Sequence, residues 1–211
     1  MTEFDDLEQA LGRKVRTYLS DGHCSAIVKV VDNDELLVSH NTWTSFESML
    51  RIMKRYDYNY ENIGANSVVF SSYPGIIYSV DDFYLLSSGL TVLETTIFNH
   101  NSSLWKYVVA DKVVFEFLRN TVANRLARSG REWTELFARF NSGTYNNQFM
   151  IIDYKKYQKG TAPSNLANDV LWVIEQMPGF TQSADVTGVL RSQQYWPSYN
   201  CPYFPFIYHI R

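Results

Sequence analysis

The 211-residue chain is 45% hydrophobic and 16% aromatic and carries a net charge of −3. That length suits one domain with its own core, and the composition excludes a disordered chain. With no basic surplus to neutralise a phosphate backbone, nucleic acid is not the expected partner. The one basic, aromatic run, Tyr154-Lys155-Lys156-Tyr157-Gln158-Lys159, reads as a solvated strand end or loop.

No apolar run reaches the roughly 18 residues of a membrane span. The start, Met1-Thr2-Glu3-Phe4-Asp5-Asp6, lacks the basic and apolar regions of a signal peptide. Cys24 and Cys201 make no disulfide framework, and spacing leaves open whether they pair. The four histidines show no metal-ligand spacing, so neither metal nor cofactor is expected. Asn101-Ser102-Ser103 is a glycosylation sequon, a weak hint of a secretory route.

In chain order, Phe4, Leu7, Leu11, Val15 and Leu19 recur at helical spacing and predict a helix over 4–19. Cys24 to Val31, a turn at Asp32-Asn33-Asp34 and a strand from Glu35 to His40 predict a hairpin. Its apolar residues fall on both faces, which predicts a sheet covered on both sides. Ser45 to Tyr56 reads as a helix with Ser45 as N-cap. Short strands are expected at 67–71, 75–80, 82–87 and 90–97. Residues 111–128 predict a helix with Val114, Phe117, Leu118, Val122 and Leu126 facing the core and Gly130 as its stop. A helix at 131–140 and strands at 149–153 and 170–174 follow. The sum is one α+β domain with a mainly antiparallel sheet.

The hairpin is where chemistry gathers. With the turn centred on Asn33, paired residues have numbers summing to about 66, so Cys24 lies opposite Thr42. His40 and Trp43 fall within two residues of that pair. A thiol becomes a strong nucleophile once a base removes its proton, and His40 is a candidate base. The alternative is a structural cysteine and a histidine satisfied by backbone, and geometry alone weighs toward it.

Several runs shift that balance. They include Cys24-Ser25-Ala26, Ser39-His40-Asn41-Thr42-Trp43, Met49-Leu50-Arg51-Ile52 and Phe70-Ser71-Ser72-Tyr73-Pro74-Gly75. Further on stand Asp81-Asp82-Phe83-Tyr84, Leu93-Glu94-Thr95-Thr96-Ile97, Phe140-Asn141-Ser142-Gly143-Thr144-Tyr145-Asn146-Asn147-Gln148 and Tyr195-Trp196-Pro197-Ser198-Tyr199-Asn200. In order and content they resemble the phospholipase B-like family, over nearly all of residues 23–208.

The resemblance implies an αββα sandwich of the N-terminal-nucleophile hydrolase type. It implies self-cleavage between His23 and Cys24, so that 1–23 is a removed pro-segment and 24–211 the catalytic domain. Cys24 would then hold both thiol nucleophile and, as a free α-amine, the base. By motif, Asn200 is implied as an oxyanion donor, His40 and Trp43 as the pair after the nucleophile strand, and Thr96, Tyr145 and Asn147 as substrate-binding residues. The implied substrate is a fatty-acyl ester of a phospholipid, with an N-acyl amide as the alternative. A non-catalytic, partner-binding relative is the second class. His40 and Trp43 stand where acylase relatives hold arginine and aspartate, which implies a less charged pocket. A lysosomal or secreted location is implied, with lipid degradation as the role. Family chains run further at both ends, so this sandwich is expected to be incomplete at the C-terminus. Self-association or a partner chain is then expected to cover the open edge.

Overall fold

A computed structural model describes residues 3–13, 23–31 and 35–211. Among these residues ten strands form two antiparallel sheets. The smaller sheet has β1 (His23–Val31) at its centre, flanked by β2 (Glu35–Trp43) and β10 (Tyr195–Ser198). The larger follows chain order: β3 (Ile52–Asp57), β4 (Ser67–Ser72), β5 (Phe83–Leu86), β6 (Leu90–Thr96), β7 (Asn147–Asp153), β8 (Leu171–Met177) and β9 (Phe180–Asp185). The helices are α1 (Glu3–Ala10), α2 (Glu116–Leu126), α3 (Gly130–Ala138), α4 (Thr187–Gln193) and α5 (Pro205–Ile210).

Two cores separate three layers. Between the sheets, Ala26, Val28, Val30 and Leu36 meet Leu93, Met150, Ile152, Val173 and Trp196. On the far face of the larger sheet, Trp133, Phe137, Ala123 and Ala127 of the α2–α3 region meet Phe70, Val92, Phe149 and Ile151. The chain is therefore α+β and antiparallel. Among the described residues no helix covers the outer face of the small sheet, where Ile27, Leu37 and Trp43 are exposed. The two-sided cover expected for the hairpin is not found. The apolar residues facing inward (Ala26, Val28, Val30) supply the one buried face.

Several local expectations change. The helix expected over 4–19 is α1, which ends at Ala10, and Val15 and Leu19 lie outside the described residues. Phe4 and Leu11 are exposed, while Glu3 and Asp6 are the buried residues of this turn. They bind backbone donors, Glu116 N–H at 2.6 Å and Tyr145 N–H at 2.7 Å. Ser45–Tyr56 is not a helix. A 3-10 turn at Phe46–Ser48 leads into β3, because residues 52–57 pair in full with 72–67 of β4. Ser45 precedes that turn without a side-chain capping bond. Residues 75–80 form no strand. Gly130 starts α3 instead of stopping α2, with Ser129 as N-cap accepting from Glu132 N–H at 3.2 Å.

The largest change concerns α2. Most of its predicted core face is outermost: Leu118, Val122 and Leu126 are exposed, while Val114 and Phe117 are half-buried. Glu116, Arg119, Asn120, Ala123 and Asn124 are buried instead. Buried polar groups need partners, and Arg119, Asn120 and Asn124 have them, whereas Glu116 Oε1 is left without one. Arg119 donates to the Val114 carbonyl (2.9 Å), the Phe137 carbonyl (2.6 Å) and Ser142 Oγ (3.0 Å). Asn124 links Asn120 (2.6 Å) to the Trp133 indole (2.8 Å).

Candidate active site

The hairpin ladder pairs Cys24 with Thr42, Ala26 with His40 and His23 with Trp43. That is the expected register. Side chains alternate along a strand, so Cys24, Thr42 and His40 share the inner face, while His23 and Trp43 point outward. Trp43 is 58% exposed, and its ring lies beside that of His23, 6.5 Å between centroids. The indole therefore does not join the thiol and the imidazole.

β6 supplies what the sequence did not single out. Glu94 is fully buried. Its Oε1 lies 4.0 Å from Cys24 Sγ, and its carbonyl is 2.9 Å from His40 Nε2. A carbonyl only accepts, so Nε2 carries the proton and Nδ1 keeps the lone pair. The thiol sulfur, one ring nitrogen of His40 and one Glu94 oxygen all lie within 4.8 Å of one another. Glu94 Oε2 has no partner. A hydrogen-bonded chain extends from this group into the helical layer. Tyr145 Oη lies 3.4 Å from Glu94 Oε1 and donates to Asp82 Oδ2 at 2.7 Å, and Asp82 Oδ1 accepts from Asn120 at 3.4 Å. The polar face of α2 is thus the back wall of the site.

Asn200 holds the cysteine from the other side. Its Oδ1 accepts from Cys24 N–H at 3.0 Å, and its Nδ2 donates to the Thr96 carbonyl at 2.7 Å. These two bonds fix the amide orientation, and in this state the NH2 group is occupied. The segment carrying Asn200 is anchored by a buried network. Thr95 Oγ1 meets Ser198 Oγ at 2.7 Å, and Ser198 donates to Gln148 Oε1 at 2.5 Å. Glu175 accepts from Gln148, Tyr203 N–H and Phe204 N–H. Asp82, Tyr145 and Asn200 all have positive φ, of 50°, 49° and 64°. Such backbone costs free energy for Asp and Tyr and clusters at functional sites. Thr96 pairs with Asn147 across β6 and β7. Asn147 is buried with neither side-chain polar atom partnered.

In front of the hairpin lies a cleft of about 560 Å³, lined in part by His40, Thr42, Ser45, Ser48, Arg51 and Asp81. Cys24 sits one strand behind its Thr42 wall. Arg51 grips both Asp81 oxygens at 2.9 Å, and Thr42 and Ser71 donate to the same carboxylate at 2.8 and 2.7 Å. Against the cost of burial, these bonds hold Asp81 below the usual carboxylate range. The pocket thus keeps a charged pair, contrary to the less charged pocket expected, and the pair comes from positions other than 40 and 43.

Charge sets the resting state of the thiol. Burial, then the Glu94, Asp82 and Asp81 carboxylates, push Cys24 far above the ordinary thiol range, while a Thr96 backbone hydrogen bond works the other way. Burial also lowers His40, so the imidazole is neutral, against the opposing pull of the Glu94 carbonyl. Burial and the neighbouring Asp82 charge push Glu94 up. The thiol thus keeps its proton beside a neutral imidazole. Glu94 was missed because a carboxylate inside Leu93-Glu94-Thr95-Thr96 carries no spacing signal; its oddity is a glutamate in the middle of a β-prone run.

Fold and cluster together define a class: a layered α+β domain whose first strand sets a thiol between an imidazole and a carboxylate, behind an open cleft. The family model described as Phospholipase B matches residues 2–211. The chain is 48% identical over 98% of its length to "Putative phospholipase B-like 2" of Mus musculus, covering 36% of that protein. It is 46% identical over 86% of its length to phospholipase B-like protein C of Dictyostelium discoideum (32% of that protein). It is 42% identical over 89% to phospholipase B-like 1 of Homo sapiens (34% of that protein). The chain belongs to the phospholipase B family and spans about a third of the length of the curated relatives it matches.

Proposed function

We propose that this chain is the nucleophile-bearing part of an acyl hydrolase acting on fatty-acyl esters of phospholipids, activated by self-cleavage before Cys24. The observation that carries the reading is the double hold on residue 24. Asn200 binds its nitrogen, and His40 and Glu94 flank its sulfur.

In the uncut chain that nitrogen is an amide and no base. Cleavage begins when Sγ adds to the His23 carbonyl carbon and the Cys24 nitrogen leaves as an amine, taking up the thiol proton. Water then hydrolyses the thioester, giving a His23 carboxylate and a free Cys24 amine. The amine, with a reference pKa near 7.7–8.0, takes the thiol proton in each later turnover. Sγ attacks the substrate carbonyl, the alcohol departs with a proton, and water releases the fatty acid from the thioester. In turnover Asn200 is free to turn its NH2 group toward the oxyanion once the amide geometry at residue 24 is gone. The αββα arrangement, with residues 1–23 as pro-segment, belongs to the same proposal. So does an acidic, lysosomal or secreted setting, which the raised carboxylates favour.

Intact-mass analysis of purified protein tests this. Wild type should lose residues 1–23 and Cys24→Ala should stay whole. A wild type that stays uncut at every pH from 4 to 8 with a chelator present sinks the proposal. It would leave the second reading, a non-catalytic partner-binding relative, which the buried, protonated thiol favours.

A further inference from the structure

Cys24, His40 and Glu94 come from three strands, and together they form a mixed S/N/O donor set. Their ligand atoms lie within 4.8 Å of one another, with Sγ to Oε1 at 4.0 Å. Around a tetrahedral ion with bonds of roughly 2.0–2.3 Å such atoms stand roughly 3.3–3.8 Å apart, so the side chains draw together by up to about 1 Å to hold it. Three further observations point the same way. The second Glu94 oxygen is buried without a partner. His40 spends Nε2–H on a backbone carbonyl, the arrangement that orients a metal-binding imidazole and frees Nδ1. The acidic side chains of Asp81 and Asp82 stand beside the same cluster, Asp81 joined to it through Thr42 and Asp82 through Tyr145. His40 also lines the cleft, which gives an ion a route inward.

We propose that Cys24, His40 and Glu94 bind a single borderline-soft divalent cation of the zinc type, and that the bound ion silences the thiol. The donor set selects the ion: thiolate and imidazole suit zinc and cobalt, whereas magnesium and calcium require oxygen. Three protein ligands leave a fourth position to water. The cation supplies positive charge beside the buried carboxylates and takes the thiol as its thiolate, releasing that proton on binding. Affinity therefore rises with pH. While the ion sits there, Sγ is not free to attack the His23 carbonyl, so zinc holds the chain uncut and a chelator releases it. The inference goes beyond the hydrolase reading, because binding needs the ligands and not the reaction.

The test is cobalt(II) titration of the whole chain in reducing buffer, followed by absorbance. Binding gives a near-ultraviolet thiolate-to-cobalt charge-transfer band saturating at one equivalent and abolished by zinc. Cys24→Ser loses the band, Cys201→Ser keeps it, and Glu94→Gln weakens affinity at least about tenfold. Circular dichroism checks that each variant is folded, and Glu94→Gln, which keeps the side chain's shape, serves if Cys24→Ser is not. No band at millimolar cobalt, or a band that survives in Cys24→Ser or vanishes in Cys201→Ser, overturns the proposal. Intact mass separates the two ideas. A chain that binds cobalt and still never cuts once a chelator has removed the metal defeats only the hydrolase reading; one that cuts without ever showing the band defeats only this one.

Discussion

Cys24 and Cys201 differ in surroundings more than in chemistry. Sequence reasoning favours Cys24 as the thiol that iodoacetamide labels first, since an activated nucleophile reacts as its thiolate. The structure reverses that order for the uncut chain. Cys24 is buried and held protonated among carboxylates, whereas Cys201 is half-buried. Labelling of a non-cleaving preparation at pH 7.5, read by peptide mass, should mark Cys201 before Cys24. Glu94→Gln removes a carboxyl that is charged in the alkaline range where the thiol titrates, and so lowers the Cys24 pKa. Its labelling profile should shift to lower pH by more than half a unit, and an unchanged profile would remove Glu94 from the account.

Among elements, α2 carries the lesson about patterning. Periodicity located the helix within a few residues and assigned its faces the wrong way round. The reason is that Asp82 and Gln176, both far away in sequence, supply partners for Asn120 and Arg119. A satisfied polar face buries as readily as an apolar one. Two substitutions separate the faces. Arg119→Ala strands several buried acceptors and should cost about 3 kcal/mol or more in urea unfolding. Val122→Ser, on the face that sequence assigns to the core, should change stability by only about 0.5 kcal/mol. α1 repeats the pattern on a smaller scale, with Glu3 and Asp6 satisfying the start of α2 and the loop of Tyr145.

For the molecule as a whole, buried acids set the response to pH. Burial raises Asp6 to about 7. It also raises Glu3, Asp82, Glu94 and Glu116 above their ordinary values. Each prefers its proton more in the folded state than in the unfolded one. The stability they confer is complete below the unfolded carboxylate range near 4 and is lost as pH rises through their folded values. Asp81 acts in the opposite sense, but only as pH falls below that range, and His40 opposes them with a single lowered group. Melting temperature should therefore climb as pH falls from 8 to 5. A flat or falling curve would show that these carboxyls are ionised and hydrated in the fold.

The sequence by itself determined what depends on near neighbours. Alternation along the two runs set the β1–β2 register, so Cys24 opposite Thr42 was legible, and so were the α+β class, α3 and the strands at β4 to β8; the expected turn at Asp32-Asn33-Asp34 lies outside the described residues. The family-bearing runs singled out Cys24, His40 and Asn200, which the fold brings close together. Tertiary structure decided whatever rests on partners distant in the chain. It turned 52–57 into a strand through β4, turned Trp43 outward, buried the polar side of α2 and brought Glu94 to the thiol. Local spacing encodes which side chains share a face. It does not encode what that face meets, and for a buried carboxylate or guanidinium the partner determines the free energy.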